Sequence, residues 1–240
     1  MSAPDPSTSP ANVVGLNRPL ILASSSPRRR QLLKEAGYEF LVLPPDHDVE
    51  CGVCSGSGPV GLVTELAYRK AAAVRNQILE RPPAEIGKPW PLIILSADTV
   101  AECDGFILGK PRNEADARAM LNRLSGRDHR VLTGVCLWPA NSELDLKAAG
   151  RDKTQQNDES IWPMIRVGVT RLRMDRLSEE QLADYLGSGE WEGKSGGFGY
   201  QDRLGWVHVV DGSESNVVGL PLELLAEMLR EVPPVARRGR

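Results

Sequence analysis

Residues 20–33, Leu-Ile-Leu-Ala-Ser-Ser-Ser-Pro-Arg-Arg-Arg-Gln-Leu-Leu, constrain the fold of this chain more than any other stretch. An apolar run gives way to three serines, a proline and three arginines. That order predicts a short buried strand, a hydroxyl-rich turn and a helix. Ser26 suits the N-cap and Pro27 the first helical position, where its missing N–H costs nothing. A helix start gathers unpaired N–H groups and about half a positive charge. Arg28 and Arg29 oppose that charge, which makes sense where an anion such as a phosphate sits among them. Two readings stand at this point: an anion site, or a capped surface helix with incidental arginines.

A chain of 240 residues, 41% hydrophobic and 25% charged, suffices for one large α/β domain or two small ones. With only 5% aromatic residues, the core must be mostly aliphatic. The net charge of -3 argues against a general nucleic-acid binder, so any phosphate recognition is local. No apolar run approaches the roughly 20 residues that span a bilayer. Residues 1–18 are rich in Ser, Pro, Ala and Asn and lack the apolar core of a signal peptide; Asp5 and the shortage of arginine argue against a transit peptide. They read as a disordered tail, residues 233–240 as a basic one, and the protein as cytoplasmic and free of membrane. Cys51 and Cys54 form a C-x-x-C pair, but no second pair or close histidines complete a zinc site, and the pair sits in a Gly/Ser-rich loop. Free thiols in a reducing cytosol are the expectation for all four cysteines.

Further along, Phe40–Leu43 reads as a strand and Val60–Leu79 as a helix with Lys70 on or beside its inward face. Leu92–Leu95 reads as a strand buried on both faces, delivering Ser96-Ala97-Asp98-Thr99 at its carboxyl end, where open α/β sheets place ligands. Asp104-Gly105 is a hairpin signal before a return strand Phe106–Leu108. Asn113 caps a helix that reaches Leu124. Strands are expected at Arg130–Trp138 and Ile165–Arg173, separated by a flexible insertion over 139–163. Ser178-Glu179-Glu180-Gln181 is a capping box. A Gly-rich loop, Lys194–Gln201, a strand, Trp206–Val210, and a helix from Pro221 complete the reading.

The chemistry-bearing residues are cations and acids. Arg28, Arg29, Lys70 and Lys110, with the helix start at Ser26, can hold phosphates. Glu50 and Asp98 are a plausible pair for a divalent ion. Asp98 has two readings: a general base that orients a water, or a turn cap beside Thr99. Gly109-Lys110-Pro111 lacks the glycine spacing of a phosphate-binding P-loop. His47, His129 and His208 have no metal-ligand spacing and read as surface or packing residues. Phe198 reads as core, and the Gln201 amide can read a base edge.

Six pieces in order resemble the Maf family of nucleoside triphosphate pyrophosphatases. They are Leu22–Arg29, Leu66–Ala71, Ala97–Val100, Leu108–Pro111, Lys194–Gln201 and Ser215–Leu222. The resemblance implies an α/β fold like that of Maf and inosine-triphosphate pyrophosphatases: an elongated mixed sheet flanked by helices, with two lobes around a central cleft, over residues 19–232. It implies hydrolysis of a nucleoside triphosphate to the monophosphate and pyrophosphate with a divalent cation, Mg²⁺ or Mn²⁺, in a homodimer. By position, Asp98 matches the proton acceptor. Glu50, Lys70 and Lys110 match metal- and phosphate-handling residues, and Arg28, Thr99 and Gln201 match positions tied to base choice. Ser24 and Lys194 join the substrate-binding set. The Gly-x-Gln ending of the glycine-rich loop is similar to the branch acting on dTTP and UTP. Asp202 follows Gln201 where many relatives have glycine, and the stretch 51–58 reads as inserted. The rivals are a non-catalytic nucleotide-binding regulator and an inosine-triphosphate-type pyrophosphatase.

Overall fold

The computed structural model describes residues 19–46, 49, 55–82, 91–140, 163–202 and 205–232. The chain opens with strand β1 (Leu20–Leu22), helix α1 (Pro27–Glu35) and strand β2 (Phe40–Val42). Helix α2 (Gly58–Glu80) leads to β3 (Leu92–Cys103), β4 (Phe106–Leu108), α3 (Glu114–Leu124) and β5 (Asp128–Ala140). Then come β6 (Met164–Met174), α4 (Glu179–Gly187), β7 (Val207–Asp211), α5 (Glu214–Val218) and α6 (Leu222–Arg230). The strands form one mixed sheet in the order β2-β1-β3-β5-β6-β7, with β4 on β3. β1 is parallel to both neighbours; the other pairings are antiparallel.

Local signals account for many of the boundaries. The Ser26 side chain caps α1 through Arg29 N, Asn113 caps α3 through Asp116 N, and Ser178 and Gln181 close a reciprocal capping box on α4. Asp104 and Gly105 both have positive φ, as a two-residue hairpin of the right twist requires.

Asp98 does not follow the strand in a turn; β3 runs on through it for 12 residues. The apolar run stops at Ser96, but the polar side chains beyond it are satisfied within the fold. Ser96 Oγ donates to the Ala67 carbonyl at 2.5 Å, and Asp98 meets Lys70. The turn-cap reading of Asp98 falls with this.

Alternation along β3 sorts its residues between two faces. Ile94 packs with Ala67, Ala71 and Val74 of α2, and Val100 packs with Val63. Ile93, Leu95 and Ala97 point the other way, into a cluster with Leu33 of α1 and Leu225 and Met228 of α6. Ala101 and Cys103 join a separate cluster with Leu121 of α3 and Leu182 of α4. Asp98 therefore shares the α2 face, and Thr99 sits between the two clusters on the opposite face. α2 comes so close to the sheet at Gly134 that a Cβ there would lie 2.4 Å from the Val63 carbonyl oxygen. Gly134 is the β5 partner of Asp98, so this contact sets the height of α2 over the site.

His129 on β5 is 3% exposed and packs edge-on against Phe198, with ring centroids 5.4 Å apart. Burial pushes its pKa down from 6.5 to about 4. Above pH 6.5 it is neutral in both states and adds no pH dependence. Between 6.5 and 4 only the unfolded chain takes up the proton, so stability falls with pH, by about 3 kcal/mol in all. Urea titrations at pH 7 and pH 4 check this: His129→Phe should lose correspondingly less stability than the parent.

Candidate active site

A cleft of about 380 Å³ opens where β3 lacks a neighbour on one edge. β1 pairs with β3 only as far as Leu95, and β4 begins to pair at Ala101. Among the described residues, no strand covers that edge of residues 96–100. β1 leaves the sheet there and turns through Ser24–Ser26 into α1, so the helix start, with Ser24 to Arg29, lines the gap. The anion-site reading of this segment thus acquires a cavity.

Asp98 and Lys70 form the floor on the α2 side. Both are buried, with 7% and 8% exposure, and Lys70 Nζ donates to Asp98 Oδ1 at 2.5 Å. Lys70 is brought there because Leu66, Ala67, Lys70, Ala71 and Val74 share the inward stripe of α2. Lys110, on the loop after β4, is exposed and lines the cleft opposite. Arg28 is half-buried at the mouth.

Arg29 and Thr99 form the other wall. The Arg29 guanidinium donates from Nε to the Gly219 carbonyl at 2.7 Å, from Nη1 to Ser24 Oγ at 3.2 Å and from Nη2 to Thr99 Oγ1 at 3.0 Å. Ser24 Oγ also accepts from the Ser26 N–H at 3.2 Å. A planar fork reaching three separate acceptors is held in one orientation, which a lysine could not reproduce. Ser195, from the Gly-rich loop, donates to the Thr99 carbonyl at 2.7 Å and closes that side.

Two residues of the expected substrate set stand elsewhere. Lys194 is 4% exposed and does not line the cleft; its ammonium lies against Asp202, at 2.6 Å from Oδ1, and 3.1 Å from Glu190. Asp202 also accepts from Tyr185 Oη at 2.9 Å, and burial with this neighbouring carboxylate raises the tyrosine pKa beyond the ordinary range. The acid that follows Gln201 is thus the partner of the loop lysine. Gln201 is exposed in an adjoining depression lined by Leu32, Tyr200, Val207 and Val218; Val218 also lines the cleft. Glu50, Cys51 and Cys54 lie outside the described residues. Cys103 and Cys136 are free and buried, and burial pushes the Cys136 thiol up to about 12.

A sequence model of the Maf-like protein family matches residues 19–232. The chain belongs to the Maf family. A dTTP/UTP pyrophosphatase of Rhodopirellula baltica is 46% identical over 211 residues, covering 88% of this chain and 80% of the relative. One from Symbiobacterium thermophilum is 40% identical, covering 88% of this chain and 93% of that one. A solved HAM1 protein from Coxiella burnetii superposes with a TM-score of 0.44 at 17% identity, covering 90% of this chain and all 100% of that one.

The donor chemistry of this Maf-family site suits a hard cation. Asp98 offers carboxylate oxygen, and Mg²⁺ commonly takes one or two carboxylates together with substrate phosphates and water. Among the described residues no cluster of three or more His, Cys, Asp or Glu forms a ready-made cage. The residues fit a cation shared with the substrate's phosphates.

Sequence reasoning missed Thr133 and Asn216, which back the Thr99 wall. Thr133 lies directly across from Thr99 in the β3–β5 register, with the hydroxyl oxygens 2.9 Å apart. Asn216 lies within the matched Ser215–Leu222 piece, and its near-complete burial, at 1% exposure, gives it a structural role there.

Proposed function

We propose that this chain hydrolyses nucleoside triphosphates, dTTP and UTP foremost, to the nucleoside monophosphate and pyrophosphate. The observation that carries the reading is Asp98, buried and paired with Lys70, facing a cleft whose other walls are Arg28, Arg29, Lys110 and the N-terminus of α1. One carboxylate among several donors is the arrangement that attack at phosphorus needs. The relatives' names support the choice of substrate.

The helix start at Ser26, with Arg28, Arg29 and Lys110, binds the triphosphate and offsets its charge. Asp98 Oδ1 accepts from Lys70, leaving Oδ2 to orient a water and take its proton. The water oxygen bonds to the α-phosphorus, the bond to the bridging oxygen breaks, and pyrophosphate leaves with that oxygen. Asp98, with Glu50 as the family resemblance implies, would hold a divalent cation, Mg²⁺ or Mn²⁺, which would neutralise charge on the phosphate oxygens. Arg29 and Thr99 stand on the opposite wall, so the nucleotide lies across the free edge of β3. Gln201, one depression away, supports base choice only through the loop that joins the two hollows.

The family resemblance supports a cytoplasmic homodimer acting on free nucleotides, and the net charge of -3 argues against a nucleic-acid partner. No helix among the described residues is long and apolar enough to cross a membrane. Pyrophosphate release from a nucleotide panel with Mg²⁺ or Mn²⁺ tests the function. Turnover of dTTP and UTP ahead of purine nucleotides is the expected result; binding without turnover of any nucleotide would leave the regulator reading in its place.

A further inference from the structure

We propose that Thr133 and Asn216, which do not line the cleft, make Thr99 a pure hydrogen-bond acceptor toward the substrate, so that it takes an N–H or O–H of the nucleoside. This rests on the proposed nucleotide hydrolysis. The Thr133 hydroxyl lies 3.1 Å from the backbone carbonyl of Asn216, which can only accept, so the single proton of Thr133 goes there. The 2.9 Å contact between Thr133 and Thr99 then has to use the proton of Thr99. Arg29 Nη2 occupies one lone pair of Thr99 Oγ1 as a donor. What remains on Thr99 is a lone pair and no proton.

The far end of the chain is equally fixed. Asn216 Nδ2 donates to the Val131 carbonyl and to Thr170 Oγ1, both at 3.0 Å, while Thr170 donates its own proton to the Ser213 carbonyl at 2.9 Å. These contacts pin α5 against β5 and β6 and hold the Asn216 carbonyl under Thr133. The space before Thr99 is kept open by Gly219, where a Cβ would stand 3.5 Å from Thr99 Oγ1 and 3.6 Å from Arg29 Nε. Thr99 lines the cleft, so the remaining lone pair is available to a ligand.

An acceptor-only oxygen repels phosphate oxygens, which are acceptors too, and suits a donor on the nucleoside. Uracil and thymine present a ring N3–H, where cytosine has an acceptor nitrogen; the sugar hydroxyls are the other donors. Both share the chemistry, and substrate pairs separate them.

The test uses the whole chain with the shape-conserving variant Thr133→Val and its rescue Thr133→Ser. Valine frees the Thr99 proton to rotate into the cleft; serine keeps it committed. Two kcat/KM ratios are read: UTP over CTP, and dTTP over its 3′-deoxy analogue. One of them should fall about fivefold in the valine variant and recover in the serine variant, as expected for one hydrogen bond of ordinary worth. A fall in the first ratio assigns the ring N–H, and in the second the sugar hydroxyl. Both ratios unmoved, or an equal loss on every substrate, overturns the proposal. Should Thr133→Val lack a cooperative melting transition, Thr99→Val must lower the same ratio, and its failure to do so overturns the proposal as well. If the parent chain binds nucleotides without releasing pyrophosphate, it is the hydrolytic reading that fails, and the same ratios are taken from dissociation constants.

Discussion

Replacing Asp98 by asparagine should lower pyrophosphate release on dTTP or UTP by about 10²–10⁴-fold, the usual contribution of a positioned general base. Nucleotide affinity, read by equilibrium binding in the same buffer, should change by less than about tenfold. The asymmetry follows from the geometry. Asparagine keeps an oxygen for the Lys70 ammonium, which lies 2.5 Å from Oδ1 in the parent, so the floor of the cleft stays in place. The cations proposed to bind phosphate stand on other elements, at the start of α1 and on the loop after β4. What asparagine cannot do is take the proton of the attacking water. Turnover within threefold of the parent would remove Asp98 from that role, and a parallel loss of binding would make it chiefly a substrate or cation ligand.

The parts of this site that were legible in the sequence are those fixed by neighbours in the chain. Ser26 and Pro27 specify a helix start through their own side chains, and the same logic holds for Asn113, Ser178 and the Asp104-Gly105 hairpin. Lys70 could be placed on the inward stripe of α2 because a 3.6-residue period is local. The length of β3 was not legible. Its apolar run ends at Ser96, and the partners that make Ser96 and Asp98 acceptable inside a strand sit about 28 residues earlier, on α2. Asp202 could not be paired from the sequence for a related reason. Its partners Lys194 and Tyr185 lie across two 3₁₀ turns whose shape depends on glycines, and no period relates them. Thr133 and Asn216 are 83 residues apart, and only the β5–β6 sheet and the short helix α5 bring them together. That helix, Glu214–Val218, is not legible in the sequence either, since five residues are too few to show a helical period.

The Lys70–Asp98 pair also predicts a non-additive response. Lys70→Met leaves a buried carboxylate facing an apolar side chain, and Asp98→Ala leaves a buried ammonium without that acceptor. Both side chains are about 10% exposed. Removing one member of a buried pair costs about 3–5 kcal/mol where water is excluded. Here the pair borders an open cleft, so each single change should cost about 1–3 kcal/mol in chemical denaturation. The double variant leaves neither charge behind, and its loss should fall short of the sum of the singles by at least about 1 kcal/mol. Activity should respond differently. With the proposed base Asp98 gone, adding Lys70→Met should cost little further turnover beyond any effect on phosphate binding. Additive stability losses would mean that the two charges are solvated independently, and the ion pair would then hold neither the floor of the cleft nor the orientation of Asp98.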